Sequence, residues 1–173
     1  DSDLLTSILN AAVQAPSAMK EEPCIFSIIQ DQGLMHRISK ATKESLLNTE
    51  VDTSSFSTHT MQLIKQKDFQ VFYNANTLVL ICSKFPGKFV DADCWLAAEN
   101  LMLAAYSARL GSCVIGFAVD TLNLPEWKSE LSIPEEVKVI APIILGKPAI
   151  STSKIIRKPA EIISWKSLCL EGS

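Results

Sequence analysis

The stretch DADCWLAAENLMLAAYSARL, Asp91 to Leu110, constrains the fold more than any other part of the chain. Its interior runs through Trp95, Leu96, Ala97, Ala98, Leu101, Met102, Leu103, Ala104 and Ala105, leaving only Glu99, Asn100, Ser107 and Arg109 polar. A surface helix carries a broad polar face, so a helix apolar nearly all round is covered on more than one side. Two arrangements do that: a central core helix, or a helix that packs on its own core and on a second subunit. Gly111 is placed to close the helix at its C-cap, since glycine takes the left-handed cap conformation without a Cβ penalty. In the following run GSCVIGF, Gly111 and Gly116 bracket β-branched residues, and backbone amides there can approach a flat ligand closely.

The remaining pattern alternates helix and strand. Leu4, Leu5, Ile8, Leu9, Ala12 and Val13 share one face of a helix over 2–14, which Asp1, Ser2 or Asp3 can cap. A strand is expected at 24–30 and a helix at 31–47. TLVLICS at 77–83 and KVIAPIILG at 138–146 are β-branched runs of the kind buried on both faces of a sheet, with helices covering it. Leu124 and Pro125 mark a helix entrance, and 160–168 reads as a last strand or an arm. NTEVDTSSFSTH, 48–59, has no periodicity and is the candidate lid. Nothing repeats and no linker divides the chain, so 1–173 reads as one domain. With 47% hydrophobic residues, a chain of this size buries roughly 70% of its unfolded surface.

The charge excludes some partners. A net charge of -3 with scattered Lys and Arg provides no field to recruit nucleic acid. No run reaches the ~20 apolar residues that span a bilayer, and acids stand near Asp1 where a signal peptide carries bases. A soluble, cytoplasmic protein without nucleic-acid or membrane partners is expected. Cys24, Cys82, Cys94, Cys113 and Cys169 are odd in number and widely spaced, and His36 and His59 lie in no ligand motif, so no metal site is expected. Neither G-x-S-x-G nor a phosphate-binding glycine motif is present.

Between the first helix and first strand lies APSAMKEEP, Ala15 to Pro23. Taken with FYNANTLVLI, the long helix and its GSCVIGF extension, and IILGKPA followed by IIRKPAEII, this order of segments resembles the nitroreductase family of flavoproteins. The resemblance implies an α+β three-layer sandwich, with a mixed, mainly antiparallel sheet wrapped by helices and the long helix at a homodimer interface. It implies an FMN-dependent oxidoreductase that takes electrons from NADH or NADPH and passes them to a small electron-poor acceptor, such as a nitroaromatic or quinone, in a ping-pong cycle. By the same resemblance, Pro16 and Ser17 lie along the flavin edge. Ile115 and Gly116 present backbone amides to the ring, and Arg157, assisted by Lys158, pairs with the phosphate. No catalytic acid or base is implied. Tyr73, Asn74 and Phe56 are candidate substrate contacts.

The chain also departs from the family. Its Arg-x-Ser-x-Arg element would lie some dozen residues before this first helix, ahead of Asp1, which implies either a longer protein or weaker phosphate binding. Lys20 stands for the family asparagine, Glu22 for the glutamine and Cys24 for the tryptophan. A lysine can only donate where an asparagine both donates and accepts. Lys20 therefore either brings positive charge to the flavin or is a solvated residue facing Glu21 or Glu22. A family member that has lost reductase activity, serving as a flavin-binding or structural dimer, is the alternative, as is other flavin chemistry such as dehalogenation.

Overall fold

The structure, a computed structural model, describes residues 2–48, 58–150 and 155–166. At its centre lie the two apolar runs read as doubly buried strands, β2 (Thr77–Ser83) and β4 (Lys138–Gly146), which pair antiparallel. Strand β1 (Cys24–Ile29) flanks β2, and β3 (Gly111–Val114) flanks β4, giving the order β1-β2-β4-β3. Every pairing among the described residues is antiparallel, in keeping with the mainly antiparallel sheet expected. The cause lies in the connections. Two helices, α2 (Gln32–Asn48) and α3 (Thr58–Lys65), separate β1 from β2. The chain therefore re-enters the sheet at the end where β1 left it, with Leu78 opposite Ile29.

All seven residues of β2 are buried and they alternate between two cores. Leu78, Leu80 and Cys82 join Met35 and Ile38 of α2 on one face. Val79 and Ile81 join Ile8 and Ala12 of α1 (Ser2–Ala12) and the long helix α4 (Val90–Ser107) on the other. The period of two along the strand places successive side chains on opposite faces, and both are apolar because helices cover both. Pro142 sits within central β4, opposite Leu80, where a proline removes a ladder donor. A bulge beside it absorbs the disruption. Ile81 and Cys82 pair with Ala141 and Val139, leaving Ile140 as the extra residue.

Helix α4 buries Cys94, Ala97, Ala98, Leu101 and Ala105 against the sheet and α1. Asn100 donates to the Ala11 carbonyl oxygen at 3.2 Å, tying the two helices together. Its other side keeps Trp95, Leu96, Leu103 and Tyr106 exposed, Leu103 at 57%. One chain thus covers only one side of the apolar helix.

The helix end differs from expectation. Gly111 already belongs to β3, opposite Gly146. The left-handed cap residue is Arg109, at φ 60°. The Arg109 amide donates to Tyr106 O and the Leu110 amide to Ala105 O, both at 2.9 Å. That bond pair is a Schellman motif, which satisfies two orphan carbonyls at a site where a non-glycine residue pays roughly 1–2 kcal/mol for the left-handed backbone.

Two short helices, α5 (Val119–Leu122) and α6 (Pro125–Glu130), follow β3, and α6 has proline in its first turn behind Leu124 as expected. Residues 155–166 are irregular and exposed throughout, an arm without strand structure. The candidate lid lies mostly outside the described residues, as does Phe56. No helix among the described residues is long and apolar enough to cross a membrane.

Candidate functional site

The loop between α1 and β1 is held at three points. Pro16 cannot continue a helix, and the chain turns through a single 3-10 turn at Ala18–Lys20. The Ala18 amide donates to both carboxylate oxygens of Asp93 at 3.1 Å. Asp93 is only 5% exposed, on the first turn of α4. The Ser17 hydroxyl accepts from the Glu22 amide at 3.2 Å. Lys84, just past β2, closes the loop, with its Nζ donating to Glu22 O and its amide to Pro23 O, both at 2.9 Å.

These bonds fix an unusual backbone. Met19, Lys20 and Glu22 have φ of 54°, 59° and 48°, a region that L-residues other than Asn and Asp seldom occupy. Strain of this kind persists only where surrounding contacts over-determine it. The result is a cavity of about 320 Å³ whose lining includes Pro16, Ser17, Glu22, Cys24, Lys84 and Asp93. Lys20 is exposed, does not line this cavity, and among the described residues makes no ion pair with Glu21 or Glu22.

Ile115 and Gly116 line a different cavity of about 410 Å³, together with Leu46, Tyr73, Phe117 and Asp120. The Ile115 amide, expected to face a ligand, donates instead to Pro142 O at 2.8 Å. The bond extends the β3–β4 ladder by one residue, and Ile115 itself is buried. Gly116 remains available: a Cβ built on it meets no atom within 4 Å. Tyr73, on the same rim, is exposed and left-handed at φ 50°.

The two cavities share no lining residue. Ala12, Cys24 and Ala97 of the first belong to the core on the α1 and α4 face, whereas Ile115 and Phe117 of the second pack on the α2 face. A single chain therefore does not bring Pro16 and Ser17 against Gly116. Arg157 and Lys158 lie exposed on the irregular arm.

Asp93 and Lys84 were not singled out from the sequence. An acid within an otherwise apolar helical face was the available signal for Asp93, because a buried carboxylate needs donors. Nothing local marked Lys84.

A sequence profile described as the nitroreductase family matches residues 1–147. A protein of Archaeoglobus fulgidus, whose name proposes an NADH dehydrogenase or NAD(P)H nitroreductase, is 28% identical over 149 residues, spanning 83% of this chain and 72% of that protein. A crystal structure of a nitroreductase from Bacteroides fragilis with bound FMN superposes with a TM-score of 0.78 at 26% identity, covering 95% of this chain and 88% of the other. A nitroreductase from Desulfitobacterium hafniense, also with bound FMN, gives a TM-score of 0.79 at 19% identity, over 96% and 88% of the two chains.

Proposed function

The chain belongs to the nitroreductase family, and on that footing we propose that it is an FMN-dependent oxidoreductase. It takes electrons from NADH or NADPH and passes them to a small electron-poor acceptor, a nitroaromatic or quinone, in a ping-pong cycle. The observation that carries the proposal is the pairing of family membership with the open backbone at Gly116. That position faces a cavity of about 410 Å³ with no atom where a side chain would stand. A glycine there admits a flat ring to the backbone. FMN, when bound, supplies the two-electron relay between donor and acceptor.

The residues present suit that cofactor. Ser17 uses its oxygen to accept from Glu22, which leaves its proton for a ring or ribityl oxygen. Pro16 offers an apolar edge beside it. Gly116 lends its amide where the Ile115 amide is already engaged. Arg157 and Lys158 supply the positive charge that a phosphate dianion requires, and as exposed residues they reach it without a desolvation penalty. Lys20, exposed on the same loop but outside the cavity lining, is a cation that can only donate.

A second copy completes the site. Ser17 and Gly116 line separate cavities of one chain, so both contact one FMN only where two chains meet. The uncovered apolar face of α4, with Trp95, Leu96 and Leu103, is the surface for that contact, since patches of this kind mark association sites.

The test is spectroscopic. Purified protein incubated with FMN and desalted should retain flavin absorption, and anaerobic NADH or NADPH should bleach it, with colour returning when a nitroaromatic is added. Protein that retains no FMN would overturn the cofactor assignment. Retained flavin that neither nicotinamide bleaches would leave a binding protein in place of a reductase.

A further inference from the structure

Two cysteines far apart in sequence meet beneath the loop. Cys24 Sγ, at the start of β1, lies 3.5 Å from Cys94 Sγ, in the second turn of α4. We propose that Cys24 and Cys94 form a peroxide-sensitive dithiol that closes to an intramolecular disulfide, joining β1 to α4 under the cavity lined by Ser17 and Lys84. This site stands on the sulfur geometry and does not depend on the flavin reading.

The two thiols are unequal in a way that assigns their roles. Cys24 is half-buried and lines the open cavity of about 320 Å³, so a small oxidant reaches it from solvent. Cys94 is fully buried behind it. The hydrogen bond with Cys94 holds the Cys24 thiol below its ordinary value, opposing burial and the Asp93 charge, with Lys84 adding to the fall. The same bond, followed by burial, pushes Cys94 up. Cys24 thus ionises first, and thiolate character combined with access selects the sulfur that is oxidised.

The chemistry balances with one equivalent of hydrogen peroxide. Cys24 thiolate attacks a peroxide oxygen, giving Cys24 sulfenic acid and, after proton transfer, water. The Cys94 sulfur then attacks the Cys24 sulfur, forming the S–S bond and expelling a second water with the Cys94 proton. Two electrons leave the sulfur pair and reduce the peroxide.

The other described cysteines are bystanders. Cys82 is buried, with its Sγ directed to Leu80 O at 3.7 Å. Cys113 is exposed on β3 and lines the other cavity. Among the described residues no group of three or more His, Cys, Asp or Glu is arranged to hold a metal.

The experiment uses the full chain, reduced, desalted and titrated with hydrogen peroxide. Remaining thiols are then alkylated, and the digest is mapped by mass spectrometry. The expected product is a Cys24–Cys94 linked peptide that dithiothreitol reverses, accompanied by a rise in Tm. In Cys94→Ser, dimedone should trap Cys24 as the sulfenic acid. Wild-type protein in which both residues are still alkylated after peroxide has oxidised Cys113 would overturn the proposal. So would Cys24 sulfinic acid accumulating beside an unmodified Cys94. Both of these outcomes are read on wild-type protein, whatever the folding of the variant.

Discussion

Asp93 is the residue on which the loop geometry turns. Its two oxygens take the Ala18 amide, and three left-handed residues follow within the next four positions. Asp93→Ala leaves that amide without its acceptor, which costs ~1–3 kcal/mol when the donor stays shielded from water. Urea unfolding should show that loss, and the FMN affinity should fall with it as Ser17 loses its placement. Gly116 gives the complementary test. A Cβ there meets nothing within 4 Å and Gly116 is not at positive φ, so Gly116→Ala should keep the wild-type Tm. If the backbone contacts a flavin, the added methyl should weaken FMN binding roughly tenfold, corresponding to ~1.4 kcal/mol of overpacking. Unchanged affinity in a titration would show that Gly116 does not face the ring. The turn at Pro16 and the open backbone at Gly116 were legible in the sequence because a proline and a bracketed glycine are local signals, whereas the flavin roles proposed for Ser17 and Gly116 rest on the family resemblance. Asp93 was not, because its partner is 75 residues away.

At the scale of the element, α4 separates two properties that its composition merges. Cys94, Ala97, Ala98, Leu101 and Ala105 face inward, and Trp95, Leu96 and Leu103 face out. Substitution on the two sides should therefore have different consequences. Leu103→Glu should leave the monomer folded, because the side chain is 57% exposed, yet abolish the proposed dimer in light scattering and FMN retention with it. A dimer that survives Leu103→Glu would remove α4 as the interface. The helix itself was readable from the density of apolar residues. Its end was not, since the Schellman closure placed Arg109 where glycine was expected, and Gly111 was drawn into β3 by pairing with Gly146. A cap residue is chosen by where the next strand begins, which is a tertiary matter.

For the molecule as a whole, the sheet holds its two cores apart and carries a titration of its own. Burial pushes the Cys82 thiol from an ordinary 9.0 up to about 12. The folded chain keeps a proton there that the unfolded chain releases. This contribution to stability is complete below pH ~9 and is lost as pH rises toward 12, at ~1.4 kcal/mol per pH unit. Cys82→Ala lacks it. The stability gap between wild type and this variant, measured by urea unfolding from pH 8.5 to 10.5, should hold up to pH ~9 and narrow above it. A gap that stays constant would mean that Cys82 titrates normally.

By itself the sequence determined the first helix, the long helix and the strands β1, β2 and β4, but not α3, β3 or α5. The limits of β2 and β4 were read to the residue, and the flavoprotein family followed from the order of its segments. Hydrophobic period and turn chemistry are local, and they survive in a single chain of letters. Tertiary structure decided the strand directions, the face of α4 left uncovered, the engagement of the Ile115 amide by Pro142 and the meeting of Cys24 with Cys94. Each depends on how elements rotate and register against one another. That is settled by close packing across the whole core, where a shift of one residue would turn every strand side chain to the wrong face.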